Sequence, residues 1–124
     1  MAYSKVLFVD DDFWIHLANC EFLREHGLHI VEAYSAAEAC ALIDDGVYLT
    51  ALVTDVDLGD SIDGFEIARR ARAAYPHLPV VFISGAAAAR HRTEGVLGSA
   101  FIAKPFLPHQ VLEALDYGTY LQAA

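Results

Sequence analysis

The chain has 124 residues, of which 56% are hydrophobic and 20% are charged, and this composition excludes a disordered chain and suits one domain with its own core. The formal net charge of -9 opposes contact with nucleic-acid backbones and anionic membranes, so we expect proteins and cations as partners. Cys20 and Cys40 show neither a disulfide framework nor a zinc motif, and no apolar run is long enough to span a membrane. We therefore expect a cytoplasmic protein with two buried free cysteines.

Short apolar runs alternate with stretches of helical spacing along the chain. The predicted strands are 6–9, 28–33, 50–54, 80–83 and 101–103, and the predicted helices are 13–26, 35–46, 64–75, 86–96 and 108–121. Asp12 and Ser35 are expected to cap the first two helices, and Pro108 to open the last. This β-α alternation predicts a single α/β domain over residues 1–124, with a parallel sheet and helices on both faces.

Four of the five predicted strands deliver polar side chains to the same edge of the sheet. These residues are Asp10, Asp11 and Asp12 after strand one, Asp55 after strand three, Ser84 after strand four and Lys104 after strand five. Carboxylates that converge in a small space repel one another, and Mg²⁺, which prefers oxygen ligands, relieves that repulsion. Asp10, Asp11 and Asp55 are the candidate ligands.

The same edge offers groups suited to phosphoryl transfer. Lys104 supplies a positive charge and Ser84 a hydroxyl, and both can contact phosphoryl oxygens. Asp55 lies at the end of the central strand, where attack by its carboxylate yields an aspartyl phosphate. Asp55 is therefore the candidate nucleophile.

Four segments, VLFVDDD, ALVTDVDLGDSIDG, VVFISG and FIAKPF, occur in this order and together resemble the response-regulator receiver family over nearly the whole chain. The resemblance implies a flavodoxin-like, doubly wound sheet of five strands in the order 2-1-3-4-5, with five helices. It also implies a signalling domain that loses its phosphoryl group over time but is not a turnover enzyme.

The resemblance implies a role for each matching residue. Asp10, Asp11 and Asp55 would hold Mg²⁺ together with the backbone carbonyl of Asp57, Ser84 and Lys104 would contact the phosphoryl group, Phe101 would be the switch aromatic, and the Lys104-Pro105 bond would be cis. A sensor histidine kinase or phosphotransfer protein would donate the phosphoryl group. A downstream protein target, or a second copy in a homodimer, would bind the face of helix 4, strand 5 and helix 5.

The chain departs from the family pattern near the acceptor. Gly59 stands where many members have proline, and Gly64 comes about one residue later than usual, so the loop after the third strand is expected to differ. Asp57 and Ala86 occupy positions that influence how long the phosphoryl group survives in the family. We therefore predict an altered phosphoryl lifetime.

Two other functions compete with this interpretation. Asp55-Val56-Asp57 looks like the nucleophile and acid-base pair of haloacid-dehalogenase-type phosphatases, although the order of the acidic motifs along the chain argues against that family. The other is a receiver that binds partners without phosphorylation. The sequence alone fits both a stand-alone receiver and one excised from a larger protein.

Overall fold

The computed structural model describes residues 4–59, 61–86 and 88–123. Within them five strands alternate with five helices along the chain. The elements are β1 (Lys5–Val9), α1 (Phe13–Glu25), β2 (His29–Ala33), α2 (Ala36–Asp44), β3 (Ala51–Asp55), α3 (Gly64–Ala74), β4 (Val80–Ser84), α4 (Ala88–Glu94), β5 (Ala100–Ala103) and α5 (Pro108–Ala123). None of these described helices has the length and apolar character needed to cross a membrane.

The strands form one parallel sheet in the order β2-β1-β3-β4-β5. This is the predicted α/β architecture with the predicted strand order. The chain reverses its winding direction between β1 and β3, and in such sheets ligands bind outside the carboxyl ends of the strands at that point. The fold thus brings the ends of β1, β3, β4 and β5 to one edge.

The sheet has a separate apolar core on each face. Alternate residues of β1 divide between them: Leu7 and Val9 pack with α2 and α3, whereas Val6 and Phe8 pack with α1 and α5. All five residues of β3 are buried because both of its faces are covered. This explains why the strand sequences are almost continuously apolar.

The helix starts follow local capping. The Asp12 carboxylate accepts the N–H groups of Trp14 and Ile15, and the Ser35 hydroxyl accepts the N–H of Glu38, as predicted. Asp63 caps α3 in the same way by accepting the N–H of Glu66, which was not predicted.

Every element differs from its predicted range by one or two residues at one or both ends, and two of these differences lie near the polar strand ends. β3 includes Asp55, predicted to follow the strand, because Asp55 still pairs with Ile83 of β4. Helix α4 is shorter than the predicted 86–96. Ala86 donates its N–H to the Ser84 hydroxyl, a local turn that competes with helix formation at this end, and Gly95, a poor helix former, directly follows Glu94 at the other.

Candidate functional site

The predicted polar residues meet at the carboxyl edge of the sheet. Asp10 directly follows β1, Asp55 ends β3, Ser84 ends β4 and Lys104 directly follows β5. Asp10, Asp55 and Ser84 are almost wholly buried, at 0%, 3% and 1% exposure. Buried polar groups at one edge of a largely apolar sheet mark this edge as the candidate site.

Three carboxylates form the centre of the site. One oxygen from each of Asp10, Asp11 and Asp55 lies within 4.8 Å of the other two. Asp10 Oδ1 accepts the N–H of Asp12 at 2.9 Å, but Asp10 Oδ2 is buried and has no hydrogen-bond partner among the described residues. A buried oxygen without a donor, beside two further carboxylates, is what a hard divalent cation such as Mg²⁺ would satisfy. The residues present therefore fit the predicted cation.

Burial of these acids disfavours their charge. Desolvation raises the pKa of Asp10 from 3.8 to about 6; the Asp12 N–H opposes this rise and the charge of Asp55 adds to it. Desolvation also raises the pKa of Asp55, although the hydrogen bond from Lys104 lowers it in part. A cation bound among the three carboxylates would remove this penalty on both groups.

Lys104 reaches the acceptor directly. Its Nζ lies 3.1 Å from Asp55 Oδ2, and the ammonium group is partly shielded from solvent. Burial alone would lower the pKa of Lys104, but the hydrogen bond and the negative charge of Asp55 raise it. The Lys104-Pro105 peptide bond is cis, as predicted. Lys104 is therefore a fixed cation at the oxygen that a phosphoryl group would approach.

Ser84 and Asp57 are joined by a contact that the sequence did not reveal. The Ser84 hydroxyl donates to Asp57 Oδ2 at 3.2 Å and accepts the N–H of Ala86 at 3.1 Å. The backbone N–H of Asp57 donates to Asp55 Oδ1 at 3.3 Å. The exposed Asp57 carboxylate thus holds the hydroxyl predicted to bind phosphoryl oxygens, and the only sequence signal for it was an acid two residues after the acceptor.

Gly59 in the β3-α3 loop and Gly64 at the start of α3 depart from the family pattern, and each is required by the structure for a different reason. Gly59 has φ +71°, which proline, fixed near φ -65°, cannot adopt. A Cβ on Gly64 would lie 2.3 Å from the Asp55 carbonyl oxygen, so no larger residue fits while the Asp55 backbone stays in place. The start of α3 therefore packs directly against the backbone of the acceptor.

Phe101 lies half-buried on the sheet face that carries α3 and α4. It pairs in register with Phe82, two residues before Ser84, and its ring centroid is 5.4 Å from that of His91 in α4. His91 also contacts Phe82. Phe101 therefore contacts α4 through His91, a residue for which the sequence indicated no role.

An apolar groove of about 500 Å³ opens beside Lys104, between α1 and the β5-α5 loop. Its lining residues include Trp14, Ala18, Pro105 and Phe106. Trp14 is 74% exposed, which is unusual for the largest aromatic side chain. An exposed aromatic at the rim of a groove is typical of a protein contact surface.

Comparison with known sequences finds proteins related to this chain. The family model for the response regulator receiver domain matches residues 6–116. The chain is 32% identical over 114 residues to the transcriptional regulatory protein CssR of Bacillus subtilis, covering 90% of this chain and 49% of that protein. It is 32% identical over 104 residues to the transcriptional regulatory protein TcrA of Mycobacterium tuberculosis, covering 82% and 40%. The chain thus spans half or less of these curated relatives.

Solved structures give the same result. A response regulator receiver protein from Sinorhizobium medicae superimposes with a TM-score of 0.93 at 29% identity, covering 97% of each chain. The chemotaxis protein CheY4 of Vibrio cholerae superimposes with a TM-score of 0.82 at 26% identity, covering 94% of this chain and 98% of that one.

Proposed function

Since the chain belongs to the response-regulator receiver family of two-component systems, we propose that Asp55 accepts a phosphoryl group and that this modification switches a protein-binding surface. The observation that carries the proposal is the buried Asp55 carboxylate, held 3.1 Å from Lys104 and within 4.8 Å of Asp10 and Asp11. A family fold without this set of groups would support only a binding module.

The proposed reaction is a displacement at phosphorus. A carboxylate oxygen of Asp55 attacks the phosphorus of a phosphohistidine, the phosphorus-nitrogen bond breaks, and its electron pair stays on the imidazole. Asp10, Asp11 and the side chain of Asp55 would hold Mg²⁺ together with the Asp57 carbonyl. When bound, the ion neutralises charge on the transferring group. Lys104 contacts a phosphoryl oxygen through its positive charge. Once Asp55 carries the phosphoryl group, the Lys104 ammonium therefore moves from Asp55 Oδ2 to that oxygen.

The proposed switch starts at Ser84. Its hydroxyl must leave Asp57 Oδ2 to donate to a phosphoryl oxygen, and this draws the end of β4 toward Asp55. Phe101 lies on the same face of the sheet as Ser84 and contacts His91. Rotation of the Phe101 ring would therefore alter the packing of α4. We propose that a downstream protein target, or a second copy of the chain, binds the α4-β5-α5 face that this rotation reshapes.

The proposed phosphodonor is a sensor histidine kinase or a phosphotransfer protein in the cytoplasm. Any such donor must cover the surface around Lys104 to bring its phosphohistidine to Asp55. The groove and the exposed indole of Trp14 lie on that surface and offer apolar contact.

The test is phosphorylation by a small donor. The protein is incubated with acetyl phosphate and Mg²⁺, and intact mass is recorded for wild type, for Asp55→Asn, and for wild type with a chelator. One labile phosphoryl group, found only in wild type with Mg²⁺, is the expected result.

Two other outcomes would redirect the interpretation. No modification under any donor condition would favour a module that binds partners without phosphorylation. Continuous hydrolysis of phosphate esters with many turnovers per protein would favour the phosphatase alternative, in which Asp57 acts as the acid-base partner.

A further inference from the structure

A second group of metal-ligating side chains lies behind the acidic edge, between α1 and β2. His16 and Cys20 are one helical turn apart on the buried side of α1, and Glu32 projects from the facing strand. One ligand atom from each lies within 4.8 Å of the other two. We propose that these three residues bind a thiophilic divalent cation of the zinc class.

The hydrogen bonds of His16 fix the orientation of its ring. Nδ1 lies 3.1 Å from the backbone oxygen of Asp10, which can only accept, so Nδ1 carries a proton. Nε2 lies 2.9 Å from Glu32 Oε1, which is an acceptor as a carboxylate. In the neutral ring a lone pair would face that oxygen, so the contact needs a positive species between the two atoms: a proton or a metal ion.

Metal-ligating histidines commonly donate their other ring N–H to a backbone carbonyl, as His16 does. Tyr34 stacks on the imidazole with ring centroids 3.9 Å apart and donates its hydroxyl to Glu32 Oε1 at 3.1 Å. Phe8 also contacts the imidazole in an edge-to-face arrangement, with ring centroids 5.3 Å apart. The ring is thus already oriented, and a ligand held in place in advance binds with little loss of freedom.

Arg24 fixes the direction of the Glu32 carboxylate. Arg24 donates to Glu32 Oε2 at 2.7 Å and so leaves Oε1 directed at the metal position. A bound metal takes the place of the thiol proton of Cys20, which leaves to solvent.

The sulfur ligand sets the selectivity. Burial, with the nearby charge of Glu32, raises the pKa of Cys20 to about 12, so the metal-free residue is a thiol. Only a cation that binds thiolate strongly can displace that proton, which excludes Mg²⁺ and favours zinc-like ions.

The geometry is close to what such an ion requires. Nitrogen, sulfur and oxygen ligands of tetrahedral zinc are separated by roughly 3.5 Å, given bonds of about 2.0 to 2.3 Å. The present atoms are within 4.8 Å of one another, and His16 Nε2 and Glu32 Oε1 must move apart slightly from 2.9 Å. The Glu32 side chain is 31% exposed, so an ion and one water ligand can enter from its side.

Cd²⁺ titration of the whole chain tests this proposal, because cadmium bound to thiolate absorbs in the ultraviolet by charge transfer. The titration is run in excess Mg²⁺ to occupy the acidic edge, with a reductant that contains no thiol. Wild type is compared with Cys20→Ser and with Cys40→Ser, the matched control for the other buried cysteine. Glu32→Gln keeps the size of the side chain and removes the charge of the oxygen ligand, and its urea unfolding is recorded alongside to confirm that it folds.

The expected result is one equivalent of Cd²⁺ with the thiolate absorption in wild type and in Cys40→Ser, displaced by Zn²⁺. The absorption should be absent in Cys20→Ser, and the affinity should fall at least tenfold in Glu32→Gln. Absence of the absorption in wild type, or its survival in Cys20→Ser, would overturn the proposal. Phosphorylation of Asp55 is a separate measurement, so either proposal can fail alone.

Discussion

Removing the charge of Asp10 should stabilise the metal-free protein. Asp10 is wholly buried, one of its oxygens has no donor among the described residues, and two other carboxylates lie nearby. Asp10→Asn keeps the size of the side chain but removes the charge. In the presence of a chelator we therefore expect the variant to unfold at higher urea concentration than wild type.

The magnitude follows from the pKa of Asp10. A folded-state pKa raised from 3.8 to about 6 means that folding favours the protonated carboxyl, so the folded state binds more protons between these values. The contribution of Asp10 to the free energy of unfolding is therefore highest below about pH 4 and falls as the pH rises toward 6. Above both pKa values of Asp10, the free energy of unfolding is lower by roughly 3 kcal/mol, at 1.36 kcal/mol per pKa unit. Asp10→Asn should recover about 2 to 3 kcal/mol at pH 7.5 and little at pH 4.

The assay is urea unfolding at pH 4 and pH 7.5, with chelator or with Mg²⁺. Mg²⁺ should stabilise wild type because it binds only the folded state, and it should stabilise Asp10→Asn far less. Asp116→Asn makes the same change of net charge at an exposed position of α5 and should show neither effect. A metal-free variant less stable than wild type at pH 7.5, or a difference independent of pH, would refute the reasoning.

Gly64→Ala should lower the free energy of unfolding by about 2 kcal/mol or more, because its Cβ would lie 2.3 Å from the Asp55 carbonyl oxygen; an unchanged urea midpoint would contradict this. Asp57→Ala should raise the rate of phosphorylation by acetyl phosphate about five- to tenfold, because it removes the hydrogen bond from the Ser84 hydroxyl to Asp57, of about 1 to 1.5 kcal/mol, and it should alter the phosphoryl lifetime. Asp57→Asn, which keeps an acceptor oxygen, should gain less, and equal rates in all three proteins would argue against this restraint. Phe101→Ala should leave phosphorylation within about twofold but abolish the change in amide hydrogen exchange of α4 on phosphorylation; a persisting change would exclude Phe101 as the switch.

The sequence predicted the architecture well because its signals are local. Each buried strand is an apolar run that the neighbouring loops bound clearly. Asp12 and Ser35 mark helix starts by accepting backbone N–H groups, and Pro108 marks one because its fixed φ suits the first helical position. Asp10, Asp55 and Lys104 could be expected to meet because they follow strands that must end at one edge. The contact between Lys104 and Asp55 is the direct outcome of that topology.

The contacts that the sequence did not predict depend on how side chains from different helices, strands and loops are directed toward one another. Nothing in the pattern indicates that the Asp57 carboxylate turns toward Ser84, or that His91 reaches Phe101 from α4. The cluster of His16, Cys20 and Glu32 combines a helix with a strand, and no spacing within one segment reveals it. Such contacts are set by packing angles between elements, which composition and periodicity do not contain.

The exposed indole at the groove gives this protein a built-in optical probe. Trp14 is the sole tryptophan of the chain, so its fluorescence comes from a single place beside Lys104. A partner that covers the groove would transfer the ring from water to an apolar surface and shift its emission to shorter wavelength. Binding of a tryptophan-free donor could then be followed without any label. The same titration with Asp55→Asn would distinguish contact with the donor from transfer of the phosphoryl group.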